Sequence, residues 1–192
     1  MLEDRSGGLD MNSYKPLTSS LCRPLLLVDV DGVLSLFGFD GASPPAGRGA
    51  LIEGVPHLLS QHAANLLIRL ADAFDCVWCT GWEERADEHL PHLLGLPRGW
   101  PHLTFPRAPG PGVSTAGHWK LASIDAFAGP HRPLAWIDDA FDASCFEWAA
   151  GRPGPTLLVA TYPAVGLTES QATALAGWAA KLAQGRRGPR RP

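Results

Sequence analysis

The sequence predicts an α/β fold built as a three-layer, doubly wound parallel sheet, and three observations carry that prediction. Four short apolar runs, at about 24–30, 75–79, 133–137 and 156–160, are bounded by turn-forming or polar residues and have the length of buried strands. Apolar residues recur at helical spacing between them, so strand and helix alternate along the chain. Polar residues stand at the ends of three runs: Asp29 and Asp31, then Thr80, then Asp138 and Asp139. Open α/β sheets bind ligands beyond the carboxyl ends of their strands, so this convergence marks the candidate site.

The elements follow in order. Residues 1–22 are polar, with no apolar segment of a signal peptide, and read as a flexible leader before one domain spanning 23–183. Gly32 allows a sharp turn after the first strand. Residues 33–52, rich in Gly, Ala and Pro around Phe37 and Phe39, predict a loop or small hairpin flap over the acids. Leu59, Ala63, Leu66, Leu67, Leu70 and Phe74 have the spacing of a helix over about 57–74. After the strand at 75–79, a helix over 82–94 has Glu83 and Glu84 suited to its first turn. Residues 95–117 are irregular and proline-rich, with a short strand expected near 103–105. A helix over 118–127, the third strand, a helix over 142–150, the fourth strand and an amphipathic helix over 168–182 complete the domain. Residues 184–192 form a basic tail with Arg186, Arg187, Arg190 and Arg191.

Composition narrows the class. A chain of 192 residues with 45% hydrophobic content can bury one sizeable core, and 18% charged residues exclude a disordered, solvated protein. The net charge of −3 exerts no global pull toward nucleic acid or anionic membrane. No apolar run has the length to cross a bilayer, so no membrane partner is expected. Cys22, Cys76, Cys79 and Cys145 do not make a disulfide framework at this size, which points to a cytoplasmic protein with reduced thiols. Cys76 and Cys79 read as core cysteines. His89 and His92 are three apart around Pro91 and read as an ordinary helix end, not a zinc site.

The acids suggest chemistry. Asp29 and Asp31 are two apart, so while the chain is extended both side chains point the same way. Unpaired carboxylates at the end of a buried strand are costly. A hard divalent cation would compensate, leaving one carboxylate free to attack or to shuttle a proton. The plainer reading is a capping Asp followed by a turn Asp. A set of this kind suits phosphoryl transfer, with Mg²⁺ and a lysine offsetting charge on the transferred group. Of the three lysines, Lys15 lies in the leader and Lys181 on the outer face of the last helix, which leaves Lys120. Trp82 and Trp119 adjoin these residues and would either stack a nucleobase or pack locally. Among Arg98, Arg107 and Arg152, Arg107 is the favoured phosphate clamp because it lies in an open loop.

Asp29-Val30-Asp31-Gly32-Val33, Thr80-Gly81, Lys120 and Trp136-Ile137-Asp138-Asp139 resemble, in order and spacing, the four motifs of the haloacid dehalogenase (HAD) superfamily of phosphohydrolases, over about 25–160. Within that superfamily, Cys79-Thr80-Gly81-Trp82, the Trp-Ile-Asp-Asp run and Gly166-Leu167-Thr168 resemble the HAD domain of Swiss Army knife RNA repair proteins. The resemblance implies a HAD-like Rossmannoid core. It implies Asp29 as nucleophile and Asp31 as general acid/base, with Thr80 and the Gly81 amide on a phosphoryl oxygen. Lys120 would orient Asp29. Asp138 and Asp139, with Asp29 and Asp31, would hold Mg²⁺, joined by the Val30 carbonyl. The second aspartate of the first motif favours phosphate chemistry over dehalogenation.

Neither the gap from Gly32 to Thr80 nor that from Thr80 to Lys120 has room for a large cap domain, so an open site is expected, suited to a nucleic-acid end, a nucleotide or a phosphoprotein. The order of the motifs speaks against a receiver domain, in which the lysine comes last. Two functions remain: a Mg²⁺-dependent phosphatase acting on a nucleic-acid end, RNA among them, or a nucleotide, or a catalytically idle HAD fold serving as a binding or interaction module.

Overall fold

The computed structural model describes residues 23–106 and 117–186. Along the chain it contains β1 (Leu25–Val28), β2 (Ser35–Leu36), β3 (Arg48–Ile52), β4 (Val55–Leu59), α1 (Gln61–Leu70) and β5 (Asp75–Trp78). These are followed by α2 (Glu84–Leu94), α3 (Leu121–Ala128), β6 (Leu134–Asp138), α4 (Ala143–Gly151), β7 (Thr156–Ala160) and α5 (Glu169–Arg186).

The four predicted strands form one parallel sheet in the order β5-β1-β6-β7. Their runs are apolar throughout because both faces are covered. Leu26, Val28, Cys76, Trp78, Ala135 and Ile137 face a cluster that includes residues of α1, α2 and α5. The alternate residues Leu25, Leu27, Val77, Cys79, Leu134 and Trp136 face a second cluster with Ile124 of α3 and Cys145 of α4. Cys76 and Cys79 therefore lie on opposite faces, and the described cysteines are free and buried. From β1 the chain crosses to β5 on one side and later returns to β6 on the other. The crevice at this reversal opens at the carboxyl ends of β1 and β6.

Several boundaries differ from the sequence expectation. The flap is a true hairpin: β3 and β4 pair antiparallel, with Ile52 opposite Val55, and β2 joins β4 to complete a second small sheet. The turn is Glu53-Gly54, with φ of 49° and 82°, both positive as the tight type I′ turn requires. Residues 57–59, assigned by periodicity to the following helix, belong to β4. The helix starts later because the Ser60 hydroxyl caps it, accepting from the Ala63 amide at 3.1 Å. The short strand expected near 103–105 is a single bridge, with His102 beside Trp78 at the outer edge of β5. α5 continues to Arg186, past the expected domain end at 183. The leader and residues 187–192 lie outside the described residues. Among the described residues, no helix is long and apolar enough to cross a membrane.

Candidate active site

The register of β1 on β6 sets the centre of the site. The Asp29 amide donates to the Ile137 carbonyl at 3.1 Å, so Asp29 and Asp138 leave neighbouring strands side by side. Lys120 reaches them from the residue that starts α3. A lysine there opposes the helix dipole, so the helix itself gives no reason for it. Its ammonium lies 2.8 Å from Asp29 Oδ2 and 2.7 Å from Asp138 Oδ2. All three are buried: Lys120 is 2% exposed, Asp29 7% and Asp138 0%.

A buried ammonium is tolerable only with such partners. Burial pushes the Lys120 pKa down, but Asp29 and Asp138 outweigh it and hold the group above its ordinary value. Burial raises the Asp29 carboxyl to about 7, against the pull of Lys120 and with a further push from the charge on Asp138. Asp29 Oδ1 accepts from the Val30 amide at 2.8 Å, and Asp138 Oδ1 from the Ala140 amide at 3.0 Å, so backbone fixes both carboxylates from behind.

Asp139 completes the group. One carboxylate oxygen each from Asp29, Asp138 and Asp139 lies within 4.8 Å of the others. All three donors are hard carboxylate oxygens, so the set could hold a metal ion. Burial, then the charge on Asp138, raises the Asp139 carboxyl above its usual range.

Asp31 is not one of that oxygen cluster among the described residues, although its charge adds to the rise of Asp139. The strand ends at Val28 and the chain turns, so the same-face argument from extended geometry stops applying before residue 31. Asp31 Oδ2 instead accepts from the indole N–H of Trp82 at 3.0 Å. The Val30 carbonyl, implied as a further cation ligand, is engaged otherwise: it accepts from the amides of Val33, Leu34 and Ser35 at 3.3, 2.9 and 2.9 Å.

The chain matches no family model and no curated protein.

The remaining predicted residues divide by burial. Thr80 is 0% exposed, and its hydroxyl accepts from the Trp82 amide at 3.3 Å, bracing the turn after β5. Gly81 is exposed at that turn, and a Cβ placed on it would lie 3.8 Å from the Trp119 ring. Trp119 is 49% exposed, with the Lys120 ammonium 5.1 Å from its ring centroid. Arg107 lies outside the described residues. Arg98 Nη2 lies 2.8 Å from His92 Nδ1, and Arg152 donates to the carbonyls of Gly129 and Arg132, so both already have partners.

Three contributors escaped sequence reasoning. The Trp136 indole N–H donates to Asp138 Oδ2 at 3.0 Å; the two residues are two apart on β6, a spacing that places them on one face and could have revealed the pair. Thr161, just past β7, donates its hydroxyl to the Gly32 carbonyl at 2.8 Å and its amide to the Asp138 carbonyl at 3.0 Å, tying the turn to the third strand. Glu83, expected inside the first helical turn, precedes α2 with φ 50° and ψ −126°, and its carboxylate accepts from the Phe105 amide at 2.8 Å. That contact with the 102–106 segment overdetermines a strained backbone beside the site.

Proposed function

We propose that the protein is a Mg²⁺-dependent phosphohydrolase with a HAD-like three-layer core and no large cap, working through an aspartyl-phosphate on Asp29. The observation that carries this reading is the buried Lys120 ammonium bridging Asp29 and Asp138 at 2.8 and 2.7 Å, with Asp139 in the same oxygen cluster.

In this reading an Asp29 oxygen attacks phosphorus as the bond to the leaving oxygen breaks, and Asp31 gives that oxygen a proton. Asp31 then takes a proton from the water that attacks the aspartyl-phosphate, releasing inorganic phosphate and restoring Asp29. Trp82 holds the Asp31 carboxylate in place for both transfers. Lys120 keeps Asp29 oriented and offsets charge on the phosphoryl group, and the exposed Gly81 turn offers its amide to a phosphoryl oxygen. Asp29, Asp138 and Asp139 would hold Mg²⁺, which when bound neutralises charge on the phosphate. Between β1 and β5 lie only the small antiparallel sheet and α1, too little for a large cap, which suits a nucleic-acid end or a nucleotide as substrate.

Phosphate release from an aryl phosphate tests the proposal. It is expected with Mg²⁺ and is expected to vanish in excess chelator and in Asp29→Asn. Turnover that survives either change overturns it. No turnover across RNA ends, DNA ends, nucleotides and phosphopeptides would leave a binding module as the reading.

A further inference from the structure

Two indoles flank the acids, and they differ in what they have left to offer. Trp82 is committed: its N–H is bonded to Asp31 and its ring meets His57 edge-on at 4.8 Å. Trp119 is not. Its ring is steadied by Phe105, edge-on at 4.6 Å, and lies near-parallel to His118 at 5.9 Å, yet 49% of the residue is exposed. Leaving a large aromatic surface in water gives up burial that a smaller residue would not forfeit.

Its position says what would cover it. The ring stands 5.1 Å from the ammonium that touches Asp29, and it borders Gly81, the exposed corner of the turn after β5. In the phosphohydrolase reading, a phosphoryl group on Asp29 lies close to this surface, one lysine away. A half-exposed indole beside the place this reading gives to the phosphate can stack a base, and such stacking tolerates every base because each has a π-face.

We propose that Trp119 is the specificity-determining platform for a nucleobase carried by the phosphorylated substrate. This rests on the phosphohydrolase reading for the position of the phosphate, and deepens it by naming the group attached to that phosphate.

Binding of AMP and of ribose 5-phosphate to the full chain in Mg²⁺ tests it, with Asp29→Asn in the background to prevent turnover. AMP is expected to bind at least about fivefold tighter, as the stacking of one base implies. Trp119→Leu should bring the two affinities within about twofold, and Trp119→Phe should restore much of the difference. Equal affinities in the parent, or a ratio unchanged by Trp119→Leu, overturn the proposal, as does a phosphotyrosine peptide that binds as tightly as AMP. An oligonucleotide bearing a terminal phosphate, compared with AMP, separates a nucleic-acid end from a free nucleotide as the source of the base. Turnover of the unsubstituted chain is read separately. Base-dependent binding without turnover would sink the phosphohydrolase reading and keep the platform, whereas turnover indifferent to the base would do the reverse.

Discussion

The carboxyl group of Asp139 rests directly against the α-carbon of Gly32, occupying the space that a side chain at position 32 would need. Gly32 also has φ +68°, a conformation that L side chains rarely adopt. One glycine thus lets the chain turn after Asp31 and lets the last acid of the cluster approach. Gly32→Ala is expected to cost about 1–2 kcal/mol for the backbone alone and to displace Asp139. Under the proposed function added Mg²⁺ stabilises the parent fold, read as a thermal shift, and that shift should shrink sharply in this variant. A full Mg²⁺ response would show that Asp139 is not needed for the cation.

Lys120→Met removes the cation from between two buried carboxylates. Breaking a buried pair by deleting one partner typically costs about 3–5 kcal/mol. Urea unfolding at neutral pH should report a loss of that order, with much of it recovered at acid pH, where the carboxylates are protonated. A loss below about 1 kcal/mol would mean that the carboxylates are already neutral in the folded chain.

The Asp29 carboxyl, lifted by burial from 3.8 to about 7, keeps its proton in the folded chain at pH values where the unfolded chain has lost it. The stability this contributes is complete below 3.8 and is lost as pH rises through 7. Asp139, also raised, acts in the same direction. In chelator, the urea midpoint should therefore fall as pH is taken from about 5 to about 8. Asp29→Asn should flatten part of that fall, and Mg²⁺ at the higher pH should reverse it in the parent. Identical pH slopes for parent and variant would contradict the assignment.

Trp136→Phe keeps most of the buried ring and deletes the N–H that Asp138 Oδ2 accepts. A hydrogen bond to a charged group is worth about 1.5–3 kcal/mol, and a stability loss of that size is expected. Under the proposed function phosphate release should fall as well, since Asp138 keeps only Lys120 to fix that oxygen. A variant with parental stability would show that the bond carries no net energy.

How much of this was legible depended on range. The parallel strands could be read because both faces are buried, which leaves uninterrupted apolar runs such as Leu25–Val28. Lys120 could be read because so few lysines compete for the role. The start of α1 could not: Leu59 continues the helical spacing of Ala63 and Leu66, yet pairing with Ser35 claims it for β4. Side-chain period cannot report a strand partner that lies far away in sequence.

The sequence by itself determined that acids would stand at the ends of buried strands, because alternating apolar runs and their polar ends are local properties of the chain. Tertiary structure alone decided which of them gather. It joined Asp29, Asp138 and Asp139 around Lys120, gave Asp31 to Trp82 and used the Val30 carbonyl within a turn. The physical reason is that hydrogen bonds and ion pairs depend on distances of about 3 Å, set by strand register and by the turn after β1, and neither is encoded in residue spacing.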